Sequence, residues 1–505
     1  MRRESGRARK RLAPAAVVRG PDQGLHAGPT AAYDPLGPGQ SQRLILAAFT
    51  LLEDTGVAFD VDSEAPALFA DAGCTVSGDG VVKIARATVE EALSSVARQA
   101  RLWDRTGTYH LELDSRHTWF FPGMTCIRVY DLATGEPRTS TAEDLATITR
   151  VADALPNIDG VCIACKDVPH SDIHGEIAEF AVMASNTTKP LEYLCEHAES
   201  LGVVIEMAAA IRGGRAALSD KPYFLQIVTP LPLNYAKTHV DQVLLAARSG
   251  VPVSVGTLPI GGASSPITAA GCIVQSLATD FAGMTLGQLA HRGSFVIGSS
   301  DVCFMEPATG SIGNFVQTSL ADMVMCQVRR ELRIPSFTGI GGQSAARRFN
   351  QDAVWEVSSN LTQAFYSRPA TCDYLGSLDE GMTYSLHSLL LCDDLAGLLR
   401  SLWQGVPIND DCLAVSLAKS VGPRGNYLAL DHTAGHCREH LWPTRYFGPH
   451  MPTTMSSLPD EDLYVRIHED LCKILATHAV PPLPASVRQE LDAIRSRFAV
   501  SCAAA

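Results

Sequence analysis

Apolar positions along this chain fall into two alternating patterns. Eight short β-branched or apolar runs recur at roughly 30- to 42-residue spacing, and most close on Gly, Pro, Asp or Ser. They are Thr118–Phe121, Val161–Cys165, Leu191–Leu194, Phe224–Val228, Val253–Val255, Ser294–Ile297, Ser336–Ile340 and Ala370–Tyr374. Longer segments with helical spacing follow them: Leu145–Ala154, Ile173–Ser185, Leu201–Ile211, Val240–Arg248, Ile267–Leu289, Phe315–Leu332, Ala353–Tyr366 and Tyr384–Leu402. Strand and helix alternating at that period predict an α/β fold, a (β/α)8 barrel of the TIM type. Reacting groups in such a barrel stand at the C-terminal ends of the strands, so the residues after each run are where chemistry is sought.

The flanks are different. Ser41–Thr55 is amphipathic, with Leu44, Ile45, Ala48, Leu51 and Leu52 on one side and Gly56 at its stop. Thr88–Gln99 reads as a second helix and Asp131–Gly135 as a polar hairpin, while Thr141-Ala-Glu-Asp opens the next helix like a capping box. The expected organisation is a disordered basic and Pro/Gly tail over 1–40, an N-terminal helical and hairpin cap plus the barrel over 41–405, and a C-terminal helical extension packed on the barrel over 406–505. Glu461–Thr477 and Ala485–Phe498 are its closing helices. Arg2-Arg3 is followed by further basic residues where a twin-arginine signal needs an apolar stretch.

Composition narrows the class. The 505 residues are 46% hydrophobic and 19% charged, enough for a large core. A formal charge of −13 argues against nucleic acid as a partner. No apolar run reaches membrane-spanning length, and no membrane association is expected. The 14 cysteines lie mostly within apolar stretches, which reads as reduced thiols in a cytoplasmic protein.

The strand ends supply the candidate residues. Gly261 and Gly262 follow the fifth run in a turn that either cradles an anionic group on free N–H groups or is an ordinary βα loop; both readings stand. Asp301 and Glu306 follow the sixth run as carboxylates for a cationic substrate, or as caps and internal ion pairs. Phe304, Phe337 and Tyr374 form a candidate aromatic ring for a quaternary ammonium, and core packing is their competing role. Gly341, Gly342 and Gln343 follow the seventh run, with Arg347 just beyond. Cys162 and Cys165 point to opposite faces of a strand and do not chelate one ion. His432 and His436 share a helical face but lack the HExxH context, so they read as structural and no metal is expected. The run Gly422–Pro443, dense in His, Arg and Trp, reads on physical grounds alone as a packed loop and lid at the barrel mouth.

That run also resembles the C-terminal signature of the trimethylamine methyltransferase family, the corrinoid-dependent barrel enzymes. Leu51–Val57, the hairpin from Asp131 to Gly135, Asp153–Asp159, Thr187–Pro190, Ser264–Thr268 and Thr309-Gly310 extend the resemblance in order, from about residue 41 to the end. It implies transfer of a methyl group from a methylated amine to Co(I) of cobalamin, a corrinoid carried by a partner protein and not bound permanently here. Some family members use pyrrolysine. The matching region here, Gly339–Glu356, holds ordinary residues, so the chain resembles the branch acting on quaternary amines such as glycine betaine. Chemistry supports that division, because a methyl group leaves nitrogen easily only when the nitrogen starts cationic and departs neutral. Asn350-Gln-Asp352, Thr279 and Ala308 depart from the family's usual residues, and Arg347 with Arg348 would suit a betaine carboxylate or simply lie exposed. A non-catalytic amine-binding barrel and a metal-dependent barrel hydrolase are the competing classes. A homo-oligomer is left open.

Overall fold

The computed structural model describes residues 23–25, 32–313, 316–339, 341–437, 441–442, 444–446 and 463–504. Its centre is a (β/α)8 barrel. The strands are β1 (Trp119–Pro122), β2 (Val161–Cys162), β3 (Leu191–Tyr193), β4 (Phe224–Val228), β5 (Val253–Val255), β6 (Val296–Gly298), β7 (Phe337–Thr338) and β8 (Thr371–Leu375). The helices that follow them are α1 (Ala142–Ala154), α2 (Ile173–Asn186), α3 (Ala198–Arg212), α4 (Lys237–Ser249), α5 (Ala269–Ala290), α6 (Val316–Glu331), α7 (Gln351–Ser367) and α8 (Leu386–Gln404). Phe224–Val228 is buried along its whole length, as expected of a strand covered on both faces.

Parallel pairing runs from β2 through β3, β4 and β5 to β6, and separately from β7 through β8 to β1. Two seams separate these arcs, and side chains cross both. Between β1 and β2, Asp159 Oδ2 accepts the Phe120 N–H at 2.8 Å, and the Asp159 N–H returns to the Phe120 carbonyl at 2.9 Å. Between β6 and β7, Arg329 on α6 donates to the Ser300 carbonyl at 3.0 Å, the Phe337 carbonyl at 3.2 Å and Asp280 at 2.7 Å. Asp301 then accepts the Gly339 N–H at 2.9 Å.

Several strands are shorter than their apolar runs predict. The second stops at Cys162, and Cys165 keeps a single parallel bridge to Cys126. The sixth begins at Val296, because the Ser294 N–H still closes a turn onto the His291 carbonyl. The helix expected over Thr88–Gln99 is Arg86–Ser95, and from Ala100 the chain enters a hairpin with His110–Leu113. The cysteines from Cys74 to Cys472 are all free thiols.

Polar residues at the N-terminal end of the barrel latch the layers together. Lys189 is fully buried, and its ammonium donates to the carbonyls of Ala152 at 2.5 Å, Leu155 at 2.7 Å and Ile158 at 2.5 Å, where α1 ends. Asp153 accepts from Thr187 and from His478, and Arg400 pairs with Asp159 at 2.5 Å. At the start of α1, Thr141 and Asp144 form the reciprocal cap. The segments Asp153–Asp159 and Thr187–Pro190 therefore work as fasteners.

Three small sheets crown the C-terminal face. Ile260–Gly261 pairs with the hairpin Cys303–Met305 and Ile312–Gly313, so the loops after β5 and β6 form one layer. Arg128–Tyr130 and Pro137–Thr139 join Thr383–Tyr384 and Ser377–Leu378 above β1 and β8. Val57–Phe59 of the cap pairs with Asn234–Tyr235 after β4. The cap helix Gln40–Asp54 rests on α5 through Phe49 and Phe281, whose ring centroids lie 5.6 Å apart.

Two expectations are changed. Residues 1–22 and 26–31 of the expected tail lie outside the described residues, but 23–25 and 32–39 are held on the barrel. Gln23 donates to the Pro156 carbonyl, the Leu36 N–H donates to Gln327, and Gly24 packs so closely on Trp119 that a Cβ would fall 2.8 Å from its ring. The signature run is also not a lid over the mouth. Helix α8 carries the chain back to the opposite end of the barrel, where Trp442 covers Gly397 and the Arg445 guanidinium pairs with Asp393. Arg438, Glu439 and Pro443 of that run lie outside the described residues. Among the described residues no helix is long and apolar enough to cross a membrane.

Candidate active site at the barrel mouth

A cavity of about 60 Å³ opens at the C-terminal ends of the strands. Such a volume corresponds to roughly two water molecules at liquid density. Ile227 and Thr229 reach it from β4 and its loop, Ser254 and Thr257 from β5 and its loop, and Ser299 and Asp301 from the loop after β6. Phe337 and Thr338 of β7, Asp373 and Tyr374 of β8, and Met124 after β1 complete the wall, with Leu258 at the rim. Among the described residues lining the cavity none is Lys, Arg or His.

The electrostatics are set by carboxyls. Burial pushes the Asp301 carboxyl up to about 6, against the pull of the Gly339 N–H and the more distant Arg329 charge. Glu192, fully buried on β3, faces Asp373 of β8; burial and the Asp373 charge drive the Glu192 carboxyl upward, while burial and the Asp301 charge raise that of Asp373 against the hydrogen bonds from Thr371 and Glu192. Among the described residues no fixed N–H or O–H donor reaches either Glu192 oxygen. Two carboxylates side by side cannot both ionise without a cation, so the pair shares a proton. Behind them Asp322 accepts the Val302 N–H at 3.3 Å, and its carboxyl is also raised by burial and by the Asp301 charge. The facing guanidinium, Arg329, is already committed to Asp280.

Backbone geometry seats these groups. Tyr374 adopts φ 63°, a left-handed conformation rare for a bulky residue, and so turns its ring to the cavity wall where a regular strand would alternate away. Gly341 lies so close to β8 that a Cβ would meet the Asp373 carbonyl oxygen at 1.4 Å, and the Gly342 N–H donates to that same oxygen at 3.2 Å.

Of the residues expected at the mouth, Asp301, Phe337 and Tyr374 line the cavity. Phe304 is buried beneath Gly261 in the layer above, where a Cβ on Gly261 would sit 2.5 Å from its ring. Gly262 turns at φ 92° over Ile267. Glu306 lies at the hairpin tip and accepts the Ala308 N–H of its own turn at 3.1 Å. Gln343 gives its carbonyl to Asn360, and Arg347 lies almost wholly exposed on the rim, 3.5 Å from Asp379. Arg348 likewise pairs outside, with Glu136 at 3.1 Å. Thr279 holds the Leu233 N–H at 3.0 Å, a structural bond within the wall.

Glu192, Ser254, Ser299 and Thr338 escaped the sequence reading. Glu192 had a usable signal: a carboxylate between Leu191 and Tyr193 in a strand covered on both sides must face the barrel axis or a partner. Asp280 and Arg329 lie on helices, 49 residues apart, and nothing local pairs them.

The barrel mouth thus gathers carboxyls and aromatic faces around one small cavity. The chain belongs to the trimethylamine methyltransferase family, whose model matches residues 2–499, and it is a transferase of one-carbon groups. A trimethylamine methyltransferase of Desulfitobacterium hafniense is 27% identical over 454 residues, covering 88% of this chain and 90% of that protein. A glycine betaine methyltransferase of the same species is 26% identical over 425 residues, covering 82% of this chain and 86% of that protein. The crystal structure of the Methanosarcina barkeri monomethylamine methyltransferase shares the fold, with a TM-score of 0.50 at 13% identity and 90% of each chain covered.

Proposed function

We propose that the enzyme removes a methyl group from a quaternary ammonium compound of the betaine type and passes it to the Co(I) of a corrinoid carried by a separate protein. The observation that carries this reading is the cavity lined by Asp301, Asp373, Phe337 and Tyr374, with no basic side chain among the described residues of its wall. A quaternary head enters stripped of water, so its charge must be met by carboxylates and aromatic faces. An anion held hard against the nitrogen would stabilise the starting ammonium more than the transition state, where that charge is fading. A carboxyl raised to about 6 and a pair sharing one proton bind the cation without that extreme.

Reduced cobalt supplies the nucleophile. The protein's own tasks are to fix the nitrogen, aim one methyl group outward and exclude water. The rim supports an incoming partner: Ile127, Leu231, Leu258, Ile267, Ile312 and Met382, all on loops at the C-terminal face, are exposed apolar side chains. A betaine carboxylate would point toward the same rim, where Arg128, Arg347 and Arg348 stand. Incubating the pure protein with glycine betaine, other betaines, tetramethylammonium and trimethylamine beside a reduced corrinoid protein tests the reading. The expected result is a methyl-cobalt spectrum with a quaternary donor and none with trimethylamine. Silence across the whole panel overturns the activity, and turnover of trimethylamine alone overturns the substrate class.

A further inference from the structure

Beyond the barrel, residues 404–437 contain no buried side chain, yet they fold three short helices, Asp410–Leu413, Val415–Val421 and Asp431–His436. Val406, Ile408 and Leu428 in this stretch are among the most exposed apolar residues of the chain. A segment of this size without a core needs another source of order. We propose that Asp411, His432 and His436 bind a zinc ion that staples this segment.

The geometry meets in one place. His432 and His436, four residues apart, project from one side of their helix, and their ring centroids lie 4.4 Å apart. Asp411, 21 residues before His432, brings its carboxylate to 3.0 Å from His436 Nε2. One ligand atom from each of the three residues falls within 4.8 Å of the others. Zinc bonds of about 2.0–2.2 Å to nitrogen and oxygen place tetrahedral ligands roughly 3.3 Å apart, so side-chain rotation alone closes the set. His432 Nε2 also lies 3.1 Å from the Asp411 carbonyl oxygen, which holds the imidazole over the same point.

Asp411 thus gathers both rings, His436 on its carboxylate and His432 on its backbone carbonyl, where a divalent cation would take both imidazoles as ligands. Two imidazoles and one carboxylate suit zinc and exclude calcium or magnesium, which take oxygen donors. His432 and His436 line a surface hollow of about 340 Å³ together with Val406, Pro407, Cys412, Cys437 and Leu441, and the fourth coordination position would face this hollow.

The test uses the full chain without a histidine tag, dialysed free of metal. Titration with zinc and elemental analysis are expected to give about one ion per chain, and Co²⁺ in its place to give the visible bands of a tetrahedral site. His432→Ala, His436→Ala and Asp411→Ala are each expected to weaken zinc binding at least about 100-fold. Zinc, but not magnesium, is expected to slow proteolysis within 404–437 about tenfold. These substitutions lie outside the core, so an unchanged barrel melting temperature shows that the variants are folded. Absence of zinc uptake by the native chain, equal uptake by the His432→Ala/His436→Ala double variant, or equal protection by magnesium overturns the proposal.

Discussion

At the residue scale, Asp301 is the group whose titration can be watched. Unfolded, its carboxyl titrates at the ordinary 3.8, and folded at about 6. Between those values the folded chain keeps a proton that the unfolded chain has lost, so this residue's contribution to stability falls as pH rises from about 4 to about 6. A bound cation has the opposite preference, because it needs the ionised form. Tetramethylammonium is therefore expected to bind about tenfold more tightly at pH 7 than at pH 5, and Asp301→Asn to bind weakly with no such dependence; calorimetry across that range measures both. Glu192→Gln removes the ionisable partner of Asp373 and leaves an amide that can donate to its carboxylate. It is expected to raise stability by about 1–3 kcal/mol in urea unfolding while lowering cation affinity. The opposed signs separate a binding carboxyl from a merely structural one.

At the element scale, the seams decide which positions matter. Arg329 is the bolt between β6 and β7, reaching two backbone carbonyls and Asp280 from within the wall. Arg329→Met leaves Asp280 buried without its counter-ion and is expected to cost about 3–5 kcal/mol by denaturant melt. Asp280→Asn, which can still accept a hydrogen bond, is expected to cost less. Gly341→Ala would set a methyl carbon against the Asp373 carbonyl and is expected to give insoluble or weakly folded protein, whereas Gly435→Ala, in open space, is expected to be neutral. These elements show what a linear reading captures. Strand and helix order was legible because a barrel strand buries both faces and its helix buries one, and each leaves a period in the sequence. Strand ends were not legible at Ile163, where apolar composition continues after the ladder has stopped, or at Ser294, where the ladder has not yet begun. The bonds across the seams were invisible for another reason: they join residues of distant segments whose own neighbourhoods give no sign of the pairing. Asp301 and Tyr374 could be picked out because strand ends carry the chemistry of such barrels, and both line the cavity. Arg347 and Glu306 sat at strand ends too, but each found a nearer partner in Asp379 or in its own turn.

At the scale of the whole molecule, the two ends of the barrel have separate duties. The N-terminal end is fastened by Lys189, Asp159 and Arg400, and the C-terminal end carries the cavity and an apolar rim. Lys189→Met strands three carbonyls at the end of α1 and is expected to lower stability by about 2–4 kcal/mol without changing cation affinity in the folded protein. Replacing Leu258 on the rim by Asp is expected to do the reverse. Stability should stay within about 0.5 kcal/mol, while the corrinoid protein's KM rises about tenfold and the amine's barely moves, read from initial rates.

Asp301 also takes part in both duties at once. The carboxylate that looks into the cavity accepts the Gly339 N–H, which has no strand neighbour there to bond. A guest that draws on this carboxylate therefore tugs at the stitch holding two staves of the cask together. Deuterium uptake at the amide of Gly339 would thus report occupancy of the cavity from the outside, before any methyl group has moved.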